Sequence, residues 1–436
     1  MLRCAILALT LACAAAPARA QWEIRLWHAM SGAPRAELES VVARFNAAQQ
    51  DYRVVASYKG SYEETLAATL ATQRRWSWTA PPHVVQVAGD GSEAMLARRG
   101  LVKPLWQILQ EAGERLDGYL PAVEAPFTDA DGRLLALPAT AATPVLYFNR
   151  DALRRAKLAG APPQTWYEMP HVLAALAGAG SGCPFTTAFP SWVLLENMSA
   201  WHDQPFATRA NGMAGSDARL NFNSRLMVRW IAMLSTWRQA GYFSYSGRGA
   251  EAEARFASGE CALLTSSSAS YAALRARAGF DLGVAQLPYY DDFDQAPQNT
   301  LASAAGLWVL AGKPHVEYVG IARFFGFLAQ PRVQAEWHQR TGDIPLTYAA
   351  YELARKEGFY ATHPAQEVAV RQLLEKLPTE DSRGIRLEGF PKIRGIIDEE
   401  LEQVWGGRKS ALDALNAAVS RGNALLDQLE KTQSAK

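Results

Sequence analysis

"QWEIRLWHAMSGAPRAELESVVARFNAAQQDYRVVASYKG", residues 21–60, changes its hydrophobic period twice. It opens, over residues 21–32, with a strand that ends in an aromatic-rich turn. Leu38, Val41, Val42 and Phe45 then fall at i, i+3, i+4 and i+7, the apolar stripe of a helix over about 34–48. Residues 52–58 return to strand. A second helical stretch over about 63–74 leads to a buried strand at 83–87, which Gly89 and Gly91 break where a loop should emerge. Strand alternating with helix at this spacing predicts an α/β fold with a mostly parallel sheet. Ligands of such sheets sit outside the carboxyl ends of the strands, which places residues 27–32 and 88–92 at the mouth of a site.

Upstream, Arg3, an apolar run at 5–16 and the small-residue sequence Ala18-Arg19-Ala20 form a secretory signal, 1–20, cleaved near Ala20. The leucine before Cys13 stands one place too late for lipid attachment, so the chain reads as exported and unanchored. Of 436 residues, 416 then remain, more than one core usually serves, and two lobes are expected. Of 44 basic residues Arg3 and Arg19 leave with the signal, so 42 face 43 acidic ones. That balance speaks against a nucleic-acid or anionic-membrane surface. Cys183 and Cys261 remain after export. In an oxidising compartment they are candidates for a disulfide, two unpaired buried thiols being the alternative.

Further along, 145–149 reads as a strand leading into a helix near Asp151, and 192–201 as an indole-rich helix. "FASGECALL" at 256–264 gives helix end, turn and strand, after which 265–270 opens a new helix. Strands are expected at 282–288 and 306–311 and a helix at 319–329. In the tail, Leu412, Leu415, Val419, Leu426 and Leu429 share one helical face through Gly422. Without repeat or long linker, the lobes are expected to exchange chain segments more than once. Residues 21–138 with about 285–335 form one lobe; about 139–284 with about 336–436, including the C-terminal helices, form the other.

Catalytic motifs are missing. The seven histidines include no pair spaced three or four apart that would place two metal ligands on one helix face. There is no Gly-x-Ser-x-Gly elbow, Walker loop or Gly-x-Gly-x-x-Gly after a strand, and the serine cluster 265–270 lacks the lysine of a Ser-x-x-Lys nucleophile. No catalytic residue, metal or cofactor is assigned. A carboxylate pair assembled only by the fold leaves a secreted hydrolase as a remote alternative. Aromatic residues near expected loops, Trp27, Tyr62, Phe189, Trp192 and Trp201, offer instead apolar platforms for polyol C–H groups, although any one of them serves equally well in a core.

"WHAMSG" at 27–32, "YKGSYEETL" at 58–66, "TPVLYFNRDAL" at 143–153, "SWVLLENMSAW" at 191–201, "GECALLTSSSAS" at 259–270, "AEWHQRTGDIPLT" at 335–347 and "PKIRGIIDEELEQVWGG" at 391–407 occur in the order found in one known family. Together they resemble the extracellular solute-binding proteins with a maltose-binding-like fold, and among them the periplasmic glycerol-3-phosphate receptors of ABC importers. The resemblance implies a type II periplasmic-binding-protein-like fold of two α/β lobes, discontinuous in sequence. It implies a non-enzymatic, monomeric receptor that delivers its ligand to permease subunits driven by a cytoplasmic ATPase.

The family's ligand positions transfer unevenly. Tyr62, Trp192, Ser267 and Arg394 match, with Arg394 and Ser267 suited to a phosphate, Tyr62 to a phosphate or glycerol oxygen and Trp192 to the apolar wall. A salt bridge from Arg394 to Asp398 or Glu399 on its own helix is the plainer alternative. The family glutamate for glycerol hydroxyls is Gly89 here, with Asp90 as the nearest carboxylate; a pocket serine is Ala142, a tryptophan is Phe189, a glycine is Ala304, and the tyrosine of "TGYLP" is Asp343. Asp343 would have to point toward the hydroxyl end or the hinge. Small side chains at 89, 142 and 304 leave a glycerophosphodiester such as glycerophosphocholine, or an oligosaccharide, as the alternative ligand.

Overall fold

The computed structural model describes residues 21–72, 80–129 and 131–434. The expected signal at 1–20 and the end of the helix expected over about 63–74 lie outside the described residues. Among the described residues ten strands run in chain order: β1 (Trp22–His28), β2 (Tyr52–Tyr58), β3 (Val84–Ala88), β4 (Leu137–Ala142), β5 (Pro144–Asn149), β6 (Cys183–Thr187), β7 (Phe243–Ser244), β8 (Cys261–Ser267), β9 (Leu282–Ala285) and β10 (Ser303–Val309). They form two five-stranded sheets, ordered β2-β1-β3-β10-β4 and β7-β6-β8-β5-β9.

The opening stretch folds as its periods dictate. β1 pairs in parallel with β2 from Trp22 opposite Tyr52 to His28 opposite Tyr58, and helix α1 (Gly32–Ala48) buries Leu38, Val41, Val42 and Phe45 between them. Both sheets are mostly parallel, as expected, but each holds one reversed strand. β10 runs against β3 and β4, and β5 runs against β8 and β9. These two strands enter just after the chain has crossed from the other sheet. Where β10 shifts register between Ala305 and Gly306, the Phe127 ring lies so close that a Cβ at Gly306 would meet it at 2.7 Å.

Buried side chains bind the crossovers together. Thr143, between β4 and β5, donates to the hydroxyl of Thr300 at 2.7 Å, and the Gln372 amide donates to the Pro144 carbonyl at 2.6 Å. Asn299 donates to the Ser382 carbonyl at 2.9 Å. These polar groups, out of water, are matched with one another.

The lobe limits expected at 138 and about 335 both fall within secondary-structure elements. β4 continues to Ala142 in the first sheet, and residue 335 falls inside the helix Pro331–Thr341. That helix packs on α1, tied by Arg44 to Glu336 at 2.7 Å and Arg340 to Glu37 at 3.0 Å, and buries Val333 and Trp337 in the core on that side. The chain meets the second sheet again at the helix Pro364–Leu373, where Gln372 bonds β5, and the helices Phe390–Trp405 and Ala411–Ser434 then bury Ile393, Ile397, Leu401 and Leu415.

Local expectations shift in three further places. Residues 265–267 remain strand, and a single 3-10 turn, Ser268–Ser270, precedes the helix Tyr271–Arg277. The strand expected at 282–288 ends at Ala285. Leu412 is 49% exposed, because the tail helix meets its neighbours through Ala411, Ala414, Leu415 and Ala418 instead. Close approach explains that choice: a Cβ at Gly422 would lie 2.3 Å from Leu220. Among the described residues no helix is long and apolar enough to cross a membrane.

Candidate functional site

A cleft opens where the carboxyl end of β3 faces the second lobe. The first lobe contributes Gly89 and Asp90 from a 3-10 turn, Pro126, and Ser303 and Ala304 of β10; the second contributes Trp192, Glu196, Phe390 and Arg394. Gly89 leaves little space for a side chain, since a Cβ there would stand 3.2 Å from the Ala304 carbonyl oxygen.

Trp192 and Glu196 come from one wide turn, Ser191–Glu196, with π-helical bonding. Such a turn inserts a residue into the helical ladder and re-aims the side chains that follow. Asn197 secures it by donating to the Trp192 carbonyl at 3.0 Å while accepting the Leu301 N–H at 2.8 Å, so the aromatic wall is coupled to a crossover segment. Phe189 sits behind Trp192, edge to face at 6.3 Å.

Arg394 occupies the first turns of the helix Phe390–Trp405, its guanidinium 4.8 Å from the Phe390 ring. Its Nε and Nη2 donate to the two oxygens of Glu196 at 2.7 and 2.8 Å, and Nη1 donates to Asp90 Oδ2 at 2.6 Å. Burial works against its charge, but the Glu196 carboxylate, with Asp90 and Asp398 adding, outweighs burial and holds the group above its ordinary pKa. The alternative of pairing with Asp398 or Glu399 is not what forms. Glu399 pairs with Arg421, and Asp398 accepts the Ser191 N–H at 3.2 Å.

Glu196 went unrecognised in the sequence. Its signal was present, a lone carboxylate in the apolar "SWVLLENMSAW" with no nearby base, but its partner lies 198 residues later.

The remaining expected positions cluster less tightly. Ala142 and Ala304 are buried on the paired strands β4 and β10. Tyr62 opens helix α2 (Tyr62–Ala71), placed there by a capping box of Ser61 and Glu64. Burial raises the Tyr62 pKa, and the charges of Asp343 and Asp90 raise it further. Ser267 spends its hydroxyl on the Ala269 N–H at 3.3 Å. Asp343 is buried, accepts from Trp337 Nε1 at 2.9 Å and lines a smaller neighbouring cavity with Ser268 and Tyr271. Cys183 and Cys261 are bonded, joining β6 to β8 at directly paired positions. No metal-binding group of His, Cys, Asp and Glu occurs among the described residues.

Burial pushes Asp398 up to about 7 from the usual 3.8. A carboxyl raised in the fold makes the native state bind more protons than the unfolded one between those values. Its ionisation therefore costs stability above about pH 7, and that cost disappears as pH falls toward 4. Asp398→Asn keeps an acceptor for Ser191 and should exceed the wild type by about 2–4 kcal/mol at pH 8 and match it at pH 4. Buried His202, His338 and His83, each lowered to about 4, act with the opposite sign in both proteins and drop out of the difference. Denaturant titrations at pH 4 to 8 decide it; a gap independent of pH would refute the assignment.

Residues 40–367 match the pattern of the bacterial extracellular solute-binding proteins, most of the chain and all the strands from β2 to β10. The chain belongs to that family. Among curated members, this solute-binding protein is 44% identical over 429 residues to the sn-glycerol-3-phosphate-binding periplasmic protein UgpB of Yersinia enterocolitica, covering 98% of this chain and 97% of that one. It is 43% identical to the protein of the same name from Salmonella typhimurium, over 94% of each. UgpB from Mycobacterium tuberculosis, solved in complex with glycerophosphocholine, superposes with a TM-score of 0.76 at 22% identity, covering 94% of this chain and 100% of that one. A cyclic α-maltosyl-1,6-maltose binding protein from Arthrobacter globiformis also gives 0.76, at 19% identity and with the same coverage. These structures share the two-lobed, maltose-binding-like fold that the sequence led us to expect.

Proposed function

We propose that this solute-binding protein works in the periplasm, closes its two lobes on sn-glycerol-3-phosphate and presents the closed form to the permease of an ABC importer, without transforming the ligand. The observation that carries the reading is Arg394, the cation lining the interlobe cleft, fixed where it touches side chains from both lobes. A guanidinium so placed can give a phosphate paired N–H bonds, while Trp192 backed by Phe189 supplies an apolar wall for the glycerol carbons. Tyr62 and Ser267 would add hydroxyls, and closure would bring them to the ligand. The names of the full-length relatives support the same substrate, compartment and transporter class.

One feature favours a second ligand. Asp90 and Glu196 outnumber Arg394 in the cleft, so a phosphodiester with a single negative charge, or one carrying a cationic headgroup, meets less repulsion than a phosphate monoester. Titration calorimetry with sn-glycerol-3-phosphate, glycerophosphocholine and maltose separates the cases. Saturable heat with glycerol-3-phosphate, ligand recovered unchanged, is the expected result. Binding of glycerophosphocholine alone selects the second reading, and binding of maltose alone overturns both.

A further inference from the structure

Arg394 has five N–H donors, and three are already committed. Glu196, only 2% exposed, takes the Nε–Nη2 edge with both oxygens and is fixed inside the second lobe. Asp90 takes Nη1 from the other side of the cleft, and its side chain is 24% exposed. The two carboxylates differ in kind. Glu196 alone neutralises the guanidinium and holds it in place, whereas Asp90, the more exposed of the two, adds a second negative charge on its Nη1 side. It rides on the short turn Gly89–Gly91, supplied by the lobe opposite Arg394.

We propose that Asp90 is a specificity-determining residue, a built-in competing anion whose carboxylate occupies the Nη1 edge of Arg394, must be displaced by an entering phosphate, and so handicaps doubly charged monoesters relative to singly charged diesters. The inference rests on the reading of this cleft as a phosphate-ester site. Its physical basis is direct. A displaced Asp90 carboxylate remains within a few ångströms of the phosphate, and repulsion in a half-open cleft scales with the charge the ligand brings. Retaining Asp90 therefore costs a dianion more than a monoanion, with Glu196 and Arg394 unchanged in both cases. The role is opposite to that of a hydroxyl acceptor, in which Asp90 would help a glycerol ligand to bind.

Asp90→Asn keeps the size and an acceptor oxygen and removes the charge; Asp90→Ala removes the contact as well. Both variants and the wild type would be titrated calorimetrically at pH 7.5 with sn-glycerol-3-phosphate and with glycerophosphocholine, after thermal melts confirm folding. Asp90→Asn should bind glycerol-3-phosphate about tenfold or more tightly than the wild type, with a smaller gain or a loss for glycerophosphocholine, and Asp90→Ala should follow the same order. Weaker glycerol-3-phosphate binding by Asp90→Asn would overturn the proposal and return Asp90 to the hydroxyl-acceptor role. Unchanged affinity, or equal gains for both esters, would overturn it as well. If the wild type and both variants bind neither ester, the phosphate-ester reading itself fails and takes this inference with it; a wild type that binds while Asp90→Asn gains nothing refutes the inference alone.

Discussion

Arg394→Ala should lose glycerol-3-phosphate binding and melt well below the wild type, two effects from one side chain. The binding loss follows from removing the cation of the cleft; truncating one partner of a desolvated, hydrogen-bonded charge pair costs roughly 2–5 kcal/mol, a factor of about 30 to several thousand in affinity. The stability loss follows from Glu196. Its carboxylate is 2% exposed and held bidentately, so deleting the arginine strands a buried charge, at a cost of about 3–5 kcal/mol. Glu196→Gln in the Arg394→Ala background should recover much of the stability and none of the binding. Arg394→Lys should fall between, since one ammonium cannot supply two parallel N–H groups to Glu196 and a third to Asp90. Calorimetric melts and ligand titrations on the four proteins check this. Undiminished affinity in Arg394→Ala would remove Arg394 from the site, and an unshifted melt would mean that Glu196 is already satisfied by other groups.

Those partners show where sequence reading stops. The β1–α1–β2 unit was legible because it is local: period, length and turn residues agree over forty consecutive positions. The reversal of β5 and β10 was not, since strand direction is settled by which sheet receives the chain after a crossover. The lobe limit expected at about 335 falls within the helix Pro331–Thr341, which follows the helix His315–Leu328 after a short corner at Ala329 and Gln330. Arg394 could be singled out from its position, but its partners stand 198 and 304 residues earlier, and the neighbours on its own helix were taken by Ser191 and Arg421. Asp343, expected to face the hydroxyl end or the hinge, accepts from Trp337, and burial raises it to about 6. The partners of Arg394 and the reversed strands are settled by contacts between segments far apart in sequence, the kind that periodicity does not encode.

The disulfide gives the other large effect, confined to one lobe. Cys183 and Cys261 lie 78 residues apart and join neighbouring parallel strands of the second sheet, while the strands of the first sheet contain no cysteine. Closing a loop of that length restricts the unfolded chain by about 4.5 kcal/mol in the chain-entropy account. The bond encloses β7 and the long helix Arg225–Gln239, so the restriction falls on residues that must all order together. Replacing both cysteines by alanine should lower the melting of the second lobe by about 10 °C and leave the first lobe nearly where it was. Both cysteines are fully buried, so alanine also leaves small voids; reduced wild type, which retains both sulfurs, separates loop closure from packing. Scanning calorimetry of oxidised, reduced and doubly substituted protein should resolve one transition that moves and one that holds. If both transitions fall together, the crossovers at Thr143, Asn299 and Gln372 couple the lobes more tightly than the bond stabilises either. If neither moves, the unfolded second lobe is already compact enough that closing the loop adds nothing.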